Sequence, residues 1–336
     1  MKLSFLLLLS VGFLSCTTTT KNNQIIEQCD YVTARCEIEV KPGNYHLELC
    51  FDQPYTGRIF AESRRLVFDS AISNTDGKCI KLSVNVRDPE GQPIQETAQR
   101  GSAGLTLIFD RSIEVLTQIK VKPAPELPVI YIAGDSTVCD QDPQWDKPAD
   151  ERYSGWGQLI PAYFNNGIIV TNYADSGEGT LAFNPPNGEL WKLIAGGIKA
   201  GDWVLIQLGH NDKTTSAEVF RTRLRELLIA VKTKQAYPVL ISPMVRNNGE
   251  PLTRQHIWPG LNIRKELIAL AENEQVPLID LMQLSDNWVN QLGQDSAQSY
   301  FVNDDRTHTN EKGAALFAAM LVSEIKKPEL RGYLRE

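Results

Sequence analysis

Val129-Ile130-Tyr131-Ile132-Ala133-Gly134-Asp135-Ser136-Thr137-Val138 is the stretch that decides the fold. Its first five residues are apolar or aromatic, and the run stops at a glycine followed by Asp and Ser. A strand with one wet face alternates polar and apolar side chains. An unbroken run belongs instead to a strand covered on both faces, as in a parallel sheet. Comparable runs recur at 168–172, 203–208, 238–242 and 277–281. Between them the period becomes helical: Val219, Phe220, Leu224, Leu227, Leu228 and Val231 share one face, and Arg221, Arg225 and Glu226 the other. A last such stretch holds Leu316, Phe317, Met320, Leu321 and Ile325. Strands alternating with helices predict a doubly wound α/β domain over 129–336, with ligands beyond the carboxyl ends of its strands.

Upstream the period is different. Short β-rich runs lie at 36–40, 45–51, 58–60, 65–68, 80–86, 105–109 and 119–121, and alternation is strict in Lys81-Leu82-Ser83-Val84-Asn85-Val86. Turn chemistry separates them, as in Lys41-Pro42-Gly43-Asn44 and Asp88-Pro89-Glu90-Gly91. Strands without intervening helices predict a small β-sandwich over 34–122. Residues 123–128, Pro-Ala-Pro-Glu-Leu-Pro, then read as a stiff linker.

Composition agrees with two globular domains: 336 residues, 42% hydrophobic and 22% charged. With 41 acidic against 34 basic residues the net charge is −7, which lacks the footprint of a nucleic-acid binder. The chain starts Met1-Lys2-Leu3 and continues with an apolar stretch over 5–14, too short for the about 20 residues a spanning helix needs. It is expected to be a signal peptide over 1–15, followed by a leader over 16–33. Export puts the later cysteines in an oxidising compartment. Cys29, Cys36, Cys50 and Cys79 allow three pairings, Cys139 stands alone, and no Cys/His spacing suggests zinc.

Four elements fall at the carboxyl ends of the expected strands. Ser136 follows the first run, where a helix is about to begin. Gly177 lies in Tyr173-Ala174-Asp175-Ser176-Gly177-Glu178-Gly179 after the second, and Asn211 in Gly209-His210-Asn211-Asp212 after the third. Asp305 and His308 lie in Asn303-Asp304-Asp305-Arg306-Thr307-His308, ahead of the last helix. Alone, each has a plainer reading as a helix cap or a turn. Together they offer a hydroxyl nucleophile, a backbone donor, an amide donor and a carboxylate–imidazole base, all at one edge.

This order, with Gly155-Trp156-Gly157-Gln158 and Asp305-Arg306-Thr307-His308-Thr309, resembles the SGNH (GDSL) hydrolase superfamily from Val129 onward. Within it the chain is most like two-domain bacterial rhamnogalacturonan acetylesterases. Their leading β-sandwich is similar to the part holding Ala61-Glu62-Ser63-Arg64-Arg65 and Val84-Asn85-Val86-Arg87. The resemblance implies a flavodoxin-like three-layer α/β/α hydrolase domain. It implies Ser136 as nucleophile, His308 as general base and then acid, and Asp305 as its orienting partner. The oxyanion hole would be the N–H of Ser136, the N–H of Gly177 and the amide of Asn211. Val138 stands where a Gly-x-Ser-x-Gly elbow has its second glycine, which separates the chain from ordinary α/β-hydrolases. Glu178-Gly179-Thr180 and the insertion-like 141–152 depart from the family pattern near the sugar.

The implied substrate is acetylated rhamnogalacturonan or its oligomers, with no cofactor and no metal. The alternatives are another acyl ester (acetylxylan, lipid or thioester) or a glycan-binding surface lipoprotein with a silent hydrolase domain. Trp156, His256 and Arg254 are expected to line the substrate cleft, with Trp145, Trp191 and Trp258 as further stacking candidates, and His210 to support the Asn211 loop. Ser15-Cys16 resembles a bacterial lipoprotein processing site, which implies an exported protein anchored in a membrane through a lipid on Cys16, facing the periplasm or the cell surface; the chain is expected to be a monomer. The sandwich is expected to bind carbohydrate or to serve as architecture.

Overall fold

The computed structural model describes residues 26–73, 77–88, 90–95 and 103–335; the signal segment and Cys16 lie outside them. The N-terminal part is a pair of antiparallel sheets. One contains β1 (Cys29–Asp30), β2 (Arg35–Ile38), β4 (Arg58–Ala61), β5 (Arg65–Asp69) and β7 (Leu105–Phe109) in the order β1-β2-β7-β4-β5. The other places β3 (Gly43–Phe51) between β6 (Cys79–Val86) and β8 (Leu116–Pro123). Alternation puts Leu47, Leu49 and Phe51 of β3 beside Ile80, Leu82 and Val84 of β6 in a core that the facing sheet closes with Ile59, Leu105 and Leu107.

Strand pairing resolves the disulfides. Cys29 lies opposite Cys36 and Cys50 opposite Cys79, and each pair is bonded. This corrects the expected leader, because β1 falls inside 16–33 and is tied to β2 by both the ladder and the disulfide. The expected linker is also packed. Pro123 belongs to β8, and buried Ala124 donates its N–H to Asn44 O at 2.8 Å.

The second part has a parallel sheet of β9 (Val129–Ala133), β10 (Ile169–Asn172), β11 (Trp203–Ile206), β12 (Tyr237–Ile241) and, after the hairpin β13 (Ile257–Trp258) and β14 (Leu261–Asn262), β15 (Leu278–Ile279). Their order is β10-β9-β11-β12-β15. Both faces of β9 are buried: Val129, Tyr131 and Ala133 enter one core, Ile130 and Ile132 the other. Helices Glu189–Gly197, Ala217–Thr233 and Ile263–Glu274 cover the first face, and Glu311–Ser323 with Leu281–Leu292 the second. The result is the three-layer α/β/α arrangement. Ser216, Asn262, Asp280 and Asn310 cap four of these helices by accepting a backbone N–H. Val219, placed by periodicity on the apolar face, is exposed.

The two parts meet along a buried polar seam. Asp140 receives Arg65 and Arg87, each at 3.3 Å, and accepts from Asn172 Nδ2 at 3.0 Å. Ser83 donates to Asn166 O and Thr171 to Asn85 Oδ1, at 2.7 and 2.8 Å. The Glu62–Arg65 stretch is buried in this seam, where Arg64 donates to Tyr153 O and Ser63 O accepts from Gln158.

Candidate active site

Ser136 stands just past β9, in a turn fixed from several sides. Asp135 accepts the N–H and the hydroxyl of Thr137 at 2.9 and 2.8 Å. Gln141 donates to Ser136 O at 2.6 Å. Gly155 and Gly157 let the next helix press against the turn, since a Cβ on Gly155 would lie 2.3 Å from Val138 C and one on Gly157 2.5 Å from Val138 O. Trp156 then donates to Gln207 Oε1 at 2.8 Å, and Gln207 donates to Thr137 Oγ1 at 2.9 Å. The Gly-Trp-Gly-Gln motif is thus a brace behind Ser136.

The serine hydroxyl lies 2.8 Å from His308 Nε2, and His308 Nδ1 lies 2.7 Å from Asp305 Oδ2. The other carboxylate oxygen accepts the N–H groups of Thr307 and His308 at 2.7 and 2.9 Å, so the Asp-x-x-His turn orients its own acid. A carboxylate at Nδ1 keeps the ring proton there and leaves Nε2 as the acceptor facing the serine. Tyr153 sets its ring edgewise to the imidazole, centroids 5.7 Å apart.

Half-burial works to raise the Asp305 carboxyl, but the hydrogen bonds from the His308 ring and backbone and from Thr307 outweigh it and hold it below the usual carboxylate range. Asp135 goes the other way, pushed up to about 6 by complete burial despite its bonds from Thr137. Burial lowers His210 well below its ordinary value and His256 to about 3, with Arg246 nearby adding to both.

Gly177 adopts φ +84°, a region that disfavours any side chain, although a Cβ there would meet nothing within 4 Å. Backbone conformation, not space, requires the glycine. Exposed Asn211 donates one amide N–H to Glu178 O at 2.9 Å, which ties its loop to that of Gly177. Asp212 accepts from Thr180 N at 3.2 Å and makes a second tie.

Three expected cleft residues are placed elsewhere. Trp156 is fully buried in the brace. His256 is fully buried too, its Nε2 bonded to Met244 O at 2.8 Å and its ring edgewise to His210 at 4.2 Å. Arg254 is held by Asp286 at 2.7 Å and Asn290 at 2.9 Å. Trp191 is also core, whereas Trp145 is exposed and stacked under Arg152.

Arg246, which the sequence reading passed over, lies against two loops of the site. Arg246 donates to Thr307 Oγ1 and His210 O, both at 3.3 Å, and so touches the neighbours of His308 and Asn211. Its guanidinium lies 5.8 Å from the Trp258 ring centroid, and Lys213 Nζ 6.0 Å from the same centroid. Among the described residues neither cation has an acidic partner within ion-pair distance. Burial and the neighbouring guanidinium lower Lys213. Gln207 had left one signal, as the only polar residue inside the 203–208 run.

Residues 132–316 match the GDSL-like Lipase/Acylhydrolase family. The uncharacterized esterase YxiM of Bacillus subtilis (strain 168) is 33% identical over 308 residues, covering 88% of this chain and 75% of that protein. Its crystal structure aligns with a TM-score of 0.55 at 25% identity, over 89% of this chain and 81% of the other. Rhamnogalacturonan acetylesterase RhgT of the same organism is 30% identical over 215 residues, 59% of this chain and 89% of RhgT.

Proposed function

This chain belongs to the GDSL-like lipase/acylhydrolase family and is an esterase, and from that premise we propose that it removes O-acetyl groups from rhamnogalacturonan or its oligomers through an acyl-enzyme on Ser136. The observation that carries this reading is the continuous relay Ser136–His308–Asp305, with both hydrogen bonds under 3 Å.

His308 Nε2 takes the hydroxyl proton as Ser136 Oγ attacks the acetyl carbonyl. The carbonyl oxygen becomes an oxyanion facing the N–H groups of Ser136 and Gly177 and the Asn211 amide. His308 returns the proton to the departing sugar oxygen as the C–O bond breaks. Water then attacks the acetyl-serine by the same route, giving acetate and free serine. Asp305 stays ionised throughout and balances the imidazolium.

Two features support this sugar. A curated relative carries rhamnogalacturonan acetylesterase as its name. Lys213 and Arg246, with no acidic partner within ion-pair distance among the described residues and beside Trp258 and the His308 loop, suit a polymer bearing carboxylates better than a neutral xylan. The reading also keeps the protein exported and anchored at Cys16. The two disulfides of the sandwich fit such a compartment.

The test is acetate release from acetylated rhamnogalacturonan and from acetylated xylan, with wild type beside Ser136→Ala. Release from the first that disappears in the variant is the expected result. Release from xylan alone replaces the substrate, and release that survives Ser136→Ala removes the mechanism.

A further inference from the structure

An oxyanion donor on a backbone N–H works only if its peptide plane faces the right way. In a trans peptide the C=O of one residue and the N–H of the next point in opposite directions from one rigid plane. The N–H of Gly177 therefore points wherever the carbonyl of Ser176 does not. Glycine at φ +84° imposes little barrier of its own against rotation of that plane. Something else has to hold it.

That holder comes from the β-sandwich. Gln95 Nε2 donates to Ser176 O at 3.0 Å and so fastens the carbonyl side of the Ser176–Gly177 peptide. The preceding peptide is fastened as well: Ser176 N donates to Gln92 Oε1 at 2.7 Å, and Gln92 is buried. Asp175 Oδ2 accepts the N–H of Ile94 at 2.5 Å. The segment is anchored in turn by Arg87, which donates to Gly91 O at 2.8 Å, lies over the Tyr173 ring at 4.9 Å and pairs with Asp140 near the serine turn. All three contacts reach the Gly177 loop across more than 80 residues of sequence.

We propose that Gln95, backed by Gln92, is a positioning residue that fixes the Ser176–Gly177 peptide with its N–H turned into the cleft, so that the β-sandwich completes the oxyanion hole of the neighbouring domain. The proposal rests on the acyl-enzyme reading above. It assigns the sandwich a task in the chemical step that neither sugar binding nor passive support would give it.

The test compares Gln95→Met, which keeps length and loses the donor, with Gln95→Lys, which keeps a donor of similar reach. The assay is p-nitrophenyl acetate hydrolysis, with active serines counted by fluorophosphonate labelling and folding checked by thermal melting. Per labelled serine, Gln95→Met is expected to lose about tenfold to a hundredfold in kcat with KM unchanged, because one oxyanion donor is misaligned. Gln95→Lys should stay within about threefold of wild type on the same grounds. Gln92→Leu serves as a second variant should Gln95→Met melt early, and should show the same split. A wild-type kcat per labelled serine in Gln95→Met or Gln92→Leu overturns the proposal, as does an equal loss in Gln95→Lys. Failure of the underlying reading looks different: wild-type activity would survive Ser136→Ala.

Discussion

Asp305→Asn isolates one step of the relay. In the native turn one oxygen accepts two backbone N–H bonds, at 2.7 and 2.9 Å, and the other faces His308 Nδ1 at 2.7 Å. An asparagine keeps the first set by placing its carbonyl there, which leaves its NH2 facing Nδ1. Two donors cannot share that contact, so the imidazole proton moves to Nε2. His308 then presents a donor to Ser136 across the 2.8 Å contact and cannot accept the hydroxyl proton. An equivalent change of tautomer costs about 10⁴ in kcat, or roughly 5.5 kcal/mol of barrier. Because Asp305 sits behind the histidine, KM should change little. Steady-state hydrolysis of p-nitrophenyl acetate and of the acetylated polysaccharide reads both constants. Retention of more than about a tenth of kcat, against the expected 10⁴ loss, would refute the tautomer argument.

Asn211→Ala removes a side-chain donor and should lower kcat by about a hundredfold or more, as loss of one oxyanion donor does; activity equal to wild type excludes Asn211 from the hole. Asp140→Ala leaves Arg65 and Arg87 buried without their shared carboxylate, and chemical unfolding should show a loss of about 3–5 kcal/mol. For Asp135 the folded pKa, about 6, lies above an unfolded value of about 3.9. Its contribution to stability is therefore whole below about pH 4 and lost as pH rises through 6. Asp135→Asn should accordingly gain on wild type by roughly 3 kcal/mol between pH 4 and pH 7 in urea titrations, and a gap that stays constant speaks against the burial argument. Reducing Cys50–Cys79, which spans 29 residues, should cost about 3–4 kcal/mol and lower the melting temperature.

Strands were legible wherever one rule governed a whole run. The continuous apolar stretch at 129–133 and the alternation at 81–86 announce two-sided and one-sided burial, and both appear as expected. Ser136, just past a strand, and Asp305 and His308, just ahead of a helix, stand in short motifs, and the fold brings the three side chains within hydrogen-bond reach. Trp156 and His256 misled because residue type tells what a side chain can touch, not which way it faces. The first points into the brace behind the serine turn and the second into a contact with Met244. Gln92 and Gln95 gave no signal at all. Their partners lie more than 80 residues away, and a glutamine in a turn-rich segment looks like any solvated loop. The disulfides became readable only once strand register set Cys50 opposite Cys79.

The serine and its base are 172 residues apart in the chain, and the base lies just ahead of the helix Glu311–Ser323. During synthesis the sandwich and the Ser136 turn emerge long before His308. A nascent chain in that interval carries an unactivated hydroxyl. The candidate relay is therefore complete only once Asn310 caps the helix Glu311–Ser323 and the Asp305–His308 turn comes to rest against Ser136. Loss of the chain from Asp305 onward would remove the imidazole together with the helix Glu311–Ser323 that covers one face of the sheet, so the base and the packing behind the serine turn are lost in one step.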